Sequence, residues 1–125
     1  MNTENITHIA EIERMAQELG EQVRIIDQHL MELEQLKMTL QTLRTSSEDE
    51  FLSPLGNRVF IKAKTVDKKK LFVDVGAGIV LKKTPEETLH VINENIVRLR
   101  EVRVQLGAQL EGYYQELESF VNQHR

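Results

Sequence analysis

The chain has 125 residues, 16 Lys and Arg against 20 Asp and Glu, a net charge of −4 at pH 7, and no cysteine. That length suits one domain, the missing cysteines exclude disulfides and thiolate metal sites, and the mild acidity excludes a surface that is basic throughout and wraps nucleic acid. With no Trp, 5% aromatic and 29% charged residues, the composition is thin for a large globular core and suits a coiled coil.

The opening stretch "MNTENITHIAEIERM" contains acids and no long apolar run, so it reads as neither a signal peptide nor a membrane anchor. Together with the absence of cysteine this gives a cytoplasmic expectation, with no membrane partner. Ile9, Ile12, Ala16, Leu19, Val23, Ile26, Leu30 and Leu33 then follow at alternating steps of 3 and 4. Such spacing draws one apolar seam along a helix with a seven-residue repeat. After Leu33 the next seam position is Lys37, while Leu36, Leu40 and Leu43 take up the stripe by a three-residue step, which overwinds a supercoil locally. The helix is expected to end near "TSSEDE", giving an N-terminal coiled-coil segment over 1–46.

The next segment, 47–83, is basic and strand-like. Residues 58–83 hold Arg58, Lys62, Lys64, Lys68, Lys69, Lys70, Lys82 and Lys83 against Asp67 and Asp74, a balance of +6 that leaves −10 for the rest. "RVFIKAKT" and "LFVDV" alternate around the polar turn "VDKKK"; "IVLKK" follows a glycine pair, and "EFLS" before Pro54-Leu55-Gly56 supplies a fourth short strand. Phe60, Phe72 and Val80 lie on the faces opposite Ile61, Val73 and Leu81, so the sheet is apolar on both sides and needs cover on both. It is built to join other copies or other chains into a larger sheet. In "VDVGAGIVLKK", a dinucleotide fingerprint would need a third glycine where Leu81 stands and a helix in place of the strand. Gly76 and Gly78 are therefore turn and bulge positions of a hairpin.

"TPEE" at 84–87 opens the C-terminal segment, 84–125, with Thr84 as N-cap, Pro85 at the first helical position and Glu87 closing a capping box. Its seam is Leu89, Ile92, Ile96, Leu99, Arg103, Leu106, Leu110, Tyr113, Leu117 and Phe120, with Arg103 its one polar member. Each flank of about 40 residues makes a helix ~60 Å long. The fold class expected is mainly α with a small β region: a long antiparallel two-helix coiled coil with two β-hairpins at the end opposite the termini.

Chemistry is not apparent in the residues. His8, His29, His90 and His124 share no helical face; His8 and His124 could approach only at the tip, without carboxylate support for a metal. Ser46, Ser47, Ser53 and Ser119 assemble no triad, and Glu11/Glu13 and Glu86/Glu87 sit on exposed faces. Nor does a two-helix hairpin offer a walled pocket. The reading is a non-enzyme without catalytic residues, cofactor or metal. The basic strands lack an aromatic stacking platform, and lysine on edge strands blunts unwanted pairing, so nucleic acid is not an expected partner. Near the termini Ile6, Ile9, Ile12 and Met15 face Tyr113, Leu117, Phe120 and Val121, with Ile6, Tyr114 and Val121 beside the seam. Apolar groups at an uncovered tip suit weak capture of apolar segments, multiplied when several tips share one assembly.

Helix, a connector with "FLSPLG" and "VDVGAGIVLKK", and a second helix of equal length resemble the α-subunit family of prefoldin over nearly the whole chain, most specifically in Leu55-Gly56 and Val75-Gly76-Ala77-Gly78. Lys82 departs from the acidic residue expected in many relatives and bears on the charge of the assembly surface. The resemblance implies a heterohexamer of two α and four β prefoldin subunits, joined by their hairpins. It also implies coiled-coil tips that hold unfolded polypeptide clients and deliver them, without ATP, to a group II chaperonin. On that basis Val59, Phe60, Ile61, Leu71, Phe72, Val73, Val75, Ile79, Val80 and Leu81 are the expected assembly residues. Ile6, Ile9, Ile12, Met15, Tyr113, Tyr114, Leu117, Phe120 and Val121 are the expected client contacts. The alternative is a structural coiled-coil adaptor that binds one defined protein partner.

Overall fold

The computed structural model describes residues 3–47 and 49–123. Two long helices, α1 (Thr3–Thr45) and α2 (Pro85–Gln123), flank four strands in the chain: β1 (Glu50–Gly56), β2 (Val59–Lys64), β3 (Leu71–Gly76) and β4 (Ile79–Lys83). The strands form two separate antiparallel hairpins, β1–β2 and β3–β4. Two compact units divide the chain, one built from α1 up to Glu32 and α2 from Asn95, the other spanning Leu33–Glu94.

In the first unit the alternating apolar spacing becomes a buried seam. Ile12, Ala16, Val23 and Ile96 are buried, and Ile9, Leu19, Ile26, Leu30, Leu99, Leu106 and Leu110 are half-buried beside them. The polar member, Arg103, is half-buried too, and its Nε donates to Asp27 Oδ1 across the helices at 2.8 Å. Asp27 directly follows seam residue Ile26, so it reaches the guanidinium from the rim. Gly107, one turn on, leaves room for it: a methyl group there would lie 2.7 Å from Arg103 Nη1. With His8 Nε2 3.4 Å from Glu116 Oε1, these cross-helix pairs set an antiparallel register within the unit.

In the second unit the stripe on α1 runs differently from the expectation. Leu36 is exposed, whereas Lys37 is half-buried and Leu40 buried. The regular 3/4 spacing is thus kept through Lys37, and the three-residue step falls later, from Leu40 to Leu43. Lysine tolerates the position because its methylene stem lines the seam while its ammonium stays in water. Opposite, Thr88 and Ile92 are buried, and Arg44 Nη2 lies 2.8 Å from Glu86 Oε1.

The start of α2 follows its sequence. The Glu87 N–H donates to Thr84 Oγ1 at 3.1 Å, and the Thr84 N–H donates to Glu87 Oε1 at 3.2 Å, a reciprocal capping box. The backbone hydrogen bond from Thr84, then its side chain, holds the Glu87 carboxyl below the ordinary carboxylate range. A lowered folded value means that this contribution is complete above the ordinary range and fades as pH falls through the lowered value.

Thr84→Ala should cost about 1 kcal/mol, with Thr84→Ser close to wild type, as read by thermal melts of helical circular dichroism. The difference between Thr84→Ala and wild type should shrink in acid, where Glu87 is protonated. For the seam, Asp27→Ala should cost about 1 kcal/mol, and Arg103→Leu should leave stability equal or higher, because an apolar side chain then fills the seam without a buried charge. Urea denaturation of both single variants and the double variant measures this coupling.

Candidate functional site

Both hairpins are built on the same plan, displaced by twenty residues. In the first, Phe51 pairs with Ala63, Leu52 with Lys62, Ser53 with Ile61, Pro54 with Phe60 and Gly56 with Val59. In the second, Leu71 pairs with Lys83, Phe72 with Lys82, Val73 with Leu81, Asp74 with Val80 and Gly76 with Ile79. Leu55 and Val75 are the extra residues of equivalent bulges. Gly56 and Gly76 have φ of 122° and 113°, which a residue with a Cβ adopts only under strain. The loops that follow have positive φ at both central residues, Asn57 and Arg58 in one and Ala77 and Gly78 in the other. That is the type I′ turn whose twist suits a two-residue hairpin. Gly76 and Gly78 are turn and bulge glycines, as their setting between strands implied.

The hairpins expose apolar side chains on both faces. On the first, Phe51, Val59 and Ile61 lie on one side and Leu52 and Phe60 on the other, all exposed, Leu52 at 66%. On the second, Ile79 and Leu81 lie opposite Phe72 and Val80, Phe72 being 67% exposed, and Val75 is exposed at the bulge. Leu71 and Val73 are half-buried. Lys82 Nζ stands 5.8 Å from the centre of the Phe72 ring, a cation–π contact on the face where an acid was expected. Sequence reasoning left out Phe51, Leu52 and Leu55. The twenty-residue displacement, which aligns them with Leu71, Phe72 and Val75, is the signal that finds them.

Charge divides by strand. The first strand of each hairpin carries one acid, Glu50 or Asp74, and no base, whereas the second strands carry Lys62, Lys64, Lys82 and Lys83. Lys62 Nζ lies 3.1 Å from Glu50 Oε2 on its own hairpin. In the same unit a cleft of about 570 Å³ is lined by Leu43 of α1, Phe51 of β1 and Leu71 of β3, with Thr39, Thr42 and Thr65 around them. It is a feature the helical pattern did not suggest.

Residues expected at the helix ends separate into three groups. Ile6, Tyr114 and Val121 are exposed at 55%, 51% and 57%. Ile9, Met15, Tyr113, Leu117 and Phe120 are half-buried. Ile12, a member of the expected seam, is only 3% exposed. The His8 ring lies 6.3 Å from the Phe120 ring. His90 pairs with Glu94 on its own helix at 2.9 Å, His29 is exposed, and His124 lies outside the described residues, as does its approach to His8. Among the described residues there is no group of three or more His, Asp or Glu placed to hold a metal ion, and no helix is long and apolar enough to cross a membrane.

Two long helices separated in the chain by a pair of open hairpins define a class, the coiled-coil proteins that carry paired β-hairpins. The family model for prefoldin subunits matches residues 12–124, and the chain belongs to the prefoldin family. It is similar to the prefoldin α subunit of Methanosarcina barkeri, 25% identical over 95% of this chain and 88% of that one. The prefoldin α subunit of Methanococcus aeolicus is 32% identical over 74% of this chain and 67% of its own length. Among solved structures, the filamentous PFD of Methanocaldococcus jannaschii shares the fold, with a TM-score of 0.76 at 24% identity, over 98% of this chain and 99% of that chain.

Arg58 takes a positive φ of 65° without being glycine. Arg58→Gly, which completes an Asn-Gly turn, should therefore stabilise the first hairpin by about 0.5–1 kcal/mol, read as slower amide exchange across β1 and β2.

Proposed function

We propose that the chain is the α-type subunit of an ATP-independent, cytoplasmic co-chaperone. It joins prefoldin β subunits through its hairpins, two copies to four, captures unfolded polypeptide at the ends of its helices, and hands it to a group II chaperonin. The observation that carries the reading is the exposure of large apolar side chains on both faces of both hairpins, in a chain of the prefoldin family. A two-stranded hairpin is marginal alone and gains stability when a third strand and a covering face are added. Covering each half-exposed Val, Leu, Ile or Phe is worth on the order of 1 kcal/mol.

Client capture is supported by Ile6, Tyr114 and Val121, exposed apolar groups in the unit that holds the chain's first and last turns of helix. A flexible client needs no defined pocket. Weak apolar contacts suffice when several subunits present them together, since each contact after the first is intramolecular. Of the expected contacts, Ile9, Met15, Tyr113, Leu117 and Phe120 add partly open surface, whereas Ile12 is buried in the seam.

Trimming two heptads from the start of α1 and the end of α2 should abolish suppression of client aggregation, measured by light scattering, while the native mass of the hetero-oligomer changes only by the residues removed. Full protection by the trimmed protein would place capture elsewhere. Promiscuity tests the class of activity: the intact complex should retain several unrelated unfolded proteins and ignore their folded forms, whereas an adaptor for one partner would do the opposite.

A further inference from the structure

The exposed apolar residues at the helix ends share one rim of the helix pair. Each heptad of a seam has two seam residues. Glu13, Asp27, Tyr114 and Val121 each directly follow the second of them, which is Ile12, Ile26, Tyr113 or Phe120. Seven residues before Glu13 the same stripe of α1 holds Ile6, and seven before Tyr114 the same stripe of α2 holds Gly107. Asp27 Oδ1 accepts from Arg103 Nε at 2.8 Å, and Arg103 Nη1 lies against Gly107, where a Cβ would meet it at 2.7 Å. The two stripes therefore border the same rim. The opposite rim is marked by His8 and Glu116, which directly precede the seam residues Ile9 and Leu117 and approach to 3.4 Å across the helices. With His8 beside Glu116, Ile6 stands level with the stretch between Tyr114 and Val121, which are about 10 Å apart along α2.

Carboxylates frame this apolar patch. Glu13 is the next member of the Ile6 stripe, and Glu111 and Glu118 stand three residues before Tyr114 and Val121, neighbours on the helix surface. All three are exposed. Among the described residues, the ion pairs near these helix ends are His8–Glu116, Arg14–Glu18 and Arg24–Glu21, so Glu13, Glu111 and Glu118 hold no cation. Glu111 accepts only from its neighbour Gln115, at 3.5 Å. Over 3–23 and 104–123 the sequence has eight glutamates and one basic residue, Arg14, which Glu18 engages at 2.9 Å.

We propose that this rim selects unfolded clients by charge, holding segments in which lysine or arginine is interspersed with large apolar residues in preference to equally apolar segments that are neutral or acidic. The proposal rests on the reading of the helix ends as the capture site and names the class of client. Ile6, Tyr114 and Val121 take apolar surface out of water without distinguishing one apolar side chain from another. The distinction comes from Glu13, Glu111 and Glu118. A client lysine lays its methylene stem on the patch and brings its ammonium to a carboxylate at the border. Arginine does the same and can stack on the Tyr114 ring. A client carboxylate in that place meets like charge. Each exposed pair is weak, about two- to threefold in affinity, so three together give about tenfold. Several tips on one assembly multiply the preference.

Three unstructured fluorescent peptides of one length and one set of apolar residues test this, with lysine, serine or glutamate at the interspersed positions. Fluorescence anisotropy reads their affinity for the purified full chain. At low salt the lysine peptide should bind about tenfold tighter than the glutamate peptide, with serine between them, and ~0.5 M salt should reduce the ratio below about threefold. Glu13→Gln, Glu111→Gln and Glu118→Gln combined should bring the lysine peptide within about twofold of the serine peptide, whose own affinity should hardly move. Glu4→Gln, Glu11→Gln and Glu32→Gln remove the same charge away from this rim and should leave most of the preference. Folded lysozyme, basic but without open apolar segments, should not compete with the lysine peptide. Helical circular dichroism shows whether each variant is folded.

Equal binding of the three peptides by wild type, or loss of preference in both glutamine triples alike, overturns selection by this rim. So does a preference that survives the Glu13, Glu111 and Glu118 substitutions. Competition by folded lysozyme overturns the unfolded client as occupant. Ile6→Ser, Tyr114→Ser and Val121→Ser combined separate these failures from failure of the capture reading, and should weaken all three peptides about fivefold or more. If they do so while wild type shows no preference, capture at the helix ends stands and only the selection is wrong. If they change nothing, or if wild type binds none of the peptides, the helix ends are not the capture site and the selection falls with that reading.

Discussion

A two-stranded sheet has two faces and two edges, and in this chain neither face of either hairpin is polar enough to be left in water. Phe51 and Ile61 oppose Leu52 and Phe60 on one hairpin, and Val73 and Leu81 oppose Phe72 and Val80 on the other. The usual remedy, a helix laid over one face, cannot serve both. The sequence alternation that normally separates an inside from an outside is replaced by apolar residues on successive positions. Lysines at second-strand positions then keep the exposed sheet from pairing indiscriminately. The remainder of the molecule is consistent with this constraint: the strands share tight, glycine-dependent turns, and the helices turn their seam residues on each other.

The helices show how little apolar surface a two-helix arrangement needs. One residue per turn lies in the seam, Ala16 among them, and the largest buried side chains are isoleucines and Leu40. Arg103 is the exception, held by Asp27 from the rim and accommodated by Gly107. Such a pair adds little net stability, since desolvation offsets much of the attraction, but a displaced register leaves the arginine unpaired in the seam. It acts against misregister more than for stability. The capping box at Thr84 does similar work at the start of α2, fixing where the helix begins immediately after the last strand.

Much of this was legible in the residues, for physical reasons that differ from element to element. The seams were legible because a 3/4 spacing has one structural meaning, and "TPEE" because the cap, the proline and the glutamate each satisfy a different need of a helix start. The glycines at 76 and 78 were legible from the strands they join. Leu36 was not: a preference for leucine over lysine in the seam ignores the stem of Lys37, which lets the regular spacing continue. The partner of Arg103 depends on the register between helices, which no single helix encodes. The displacement of twenty residues between hairpins was hidden because only Gly56 and Lys62 recur as the same residue, at Gly76 and Lys82; the shared property is backbone conformation. At the helix ends the pattern placed Ile12 in the seam, where it is buried, but did not show how far the seam residues Ile9, Leu117 and Phe120 stay open.

The central claim is that the hairpins are completed by other subunits. It is tested most directly by the native mass of the complex recovered with this chain from its own cells, with each subunit identified. The account predicts a particle of two copies of this chain and four of a smaller helical-hairpin partner, which separates into single chains when apolar hairpin residues are replaced by lysine. A chain recovered alone as a monomer, or bound to one globular protein along its helices with the hairpins still open to solvent, would contradict it.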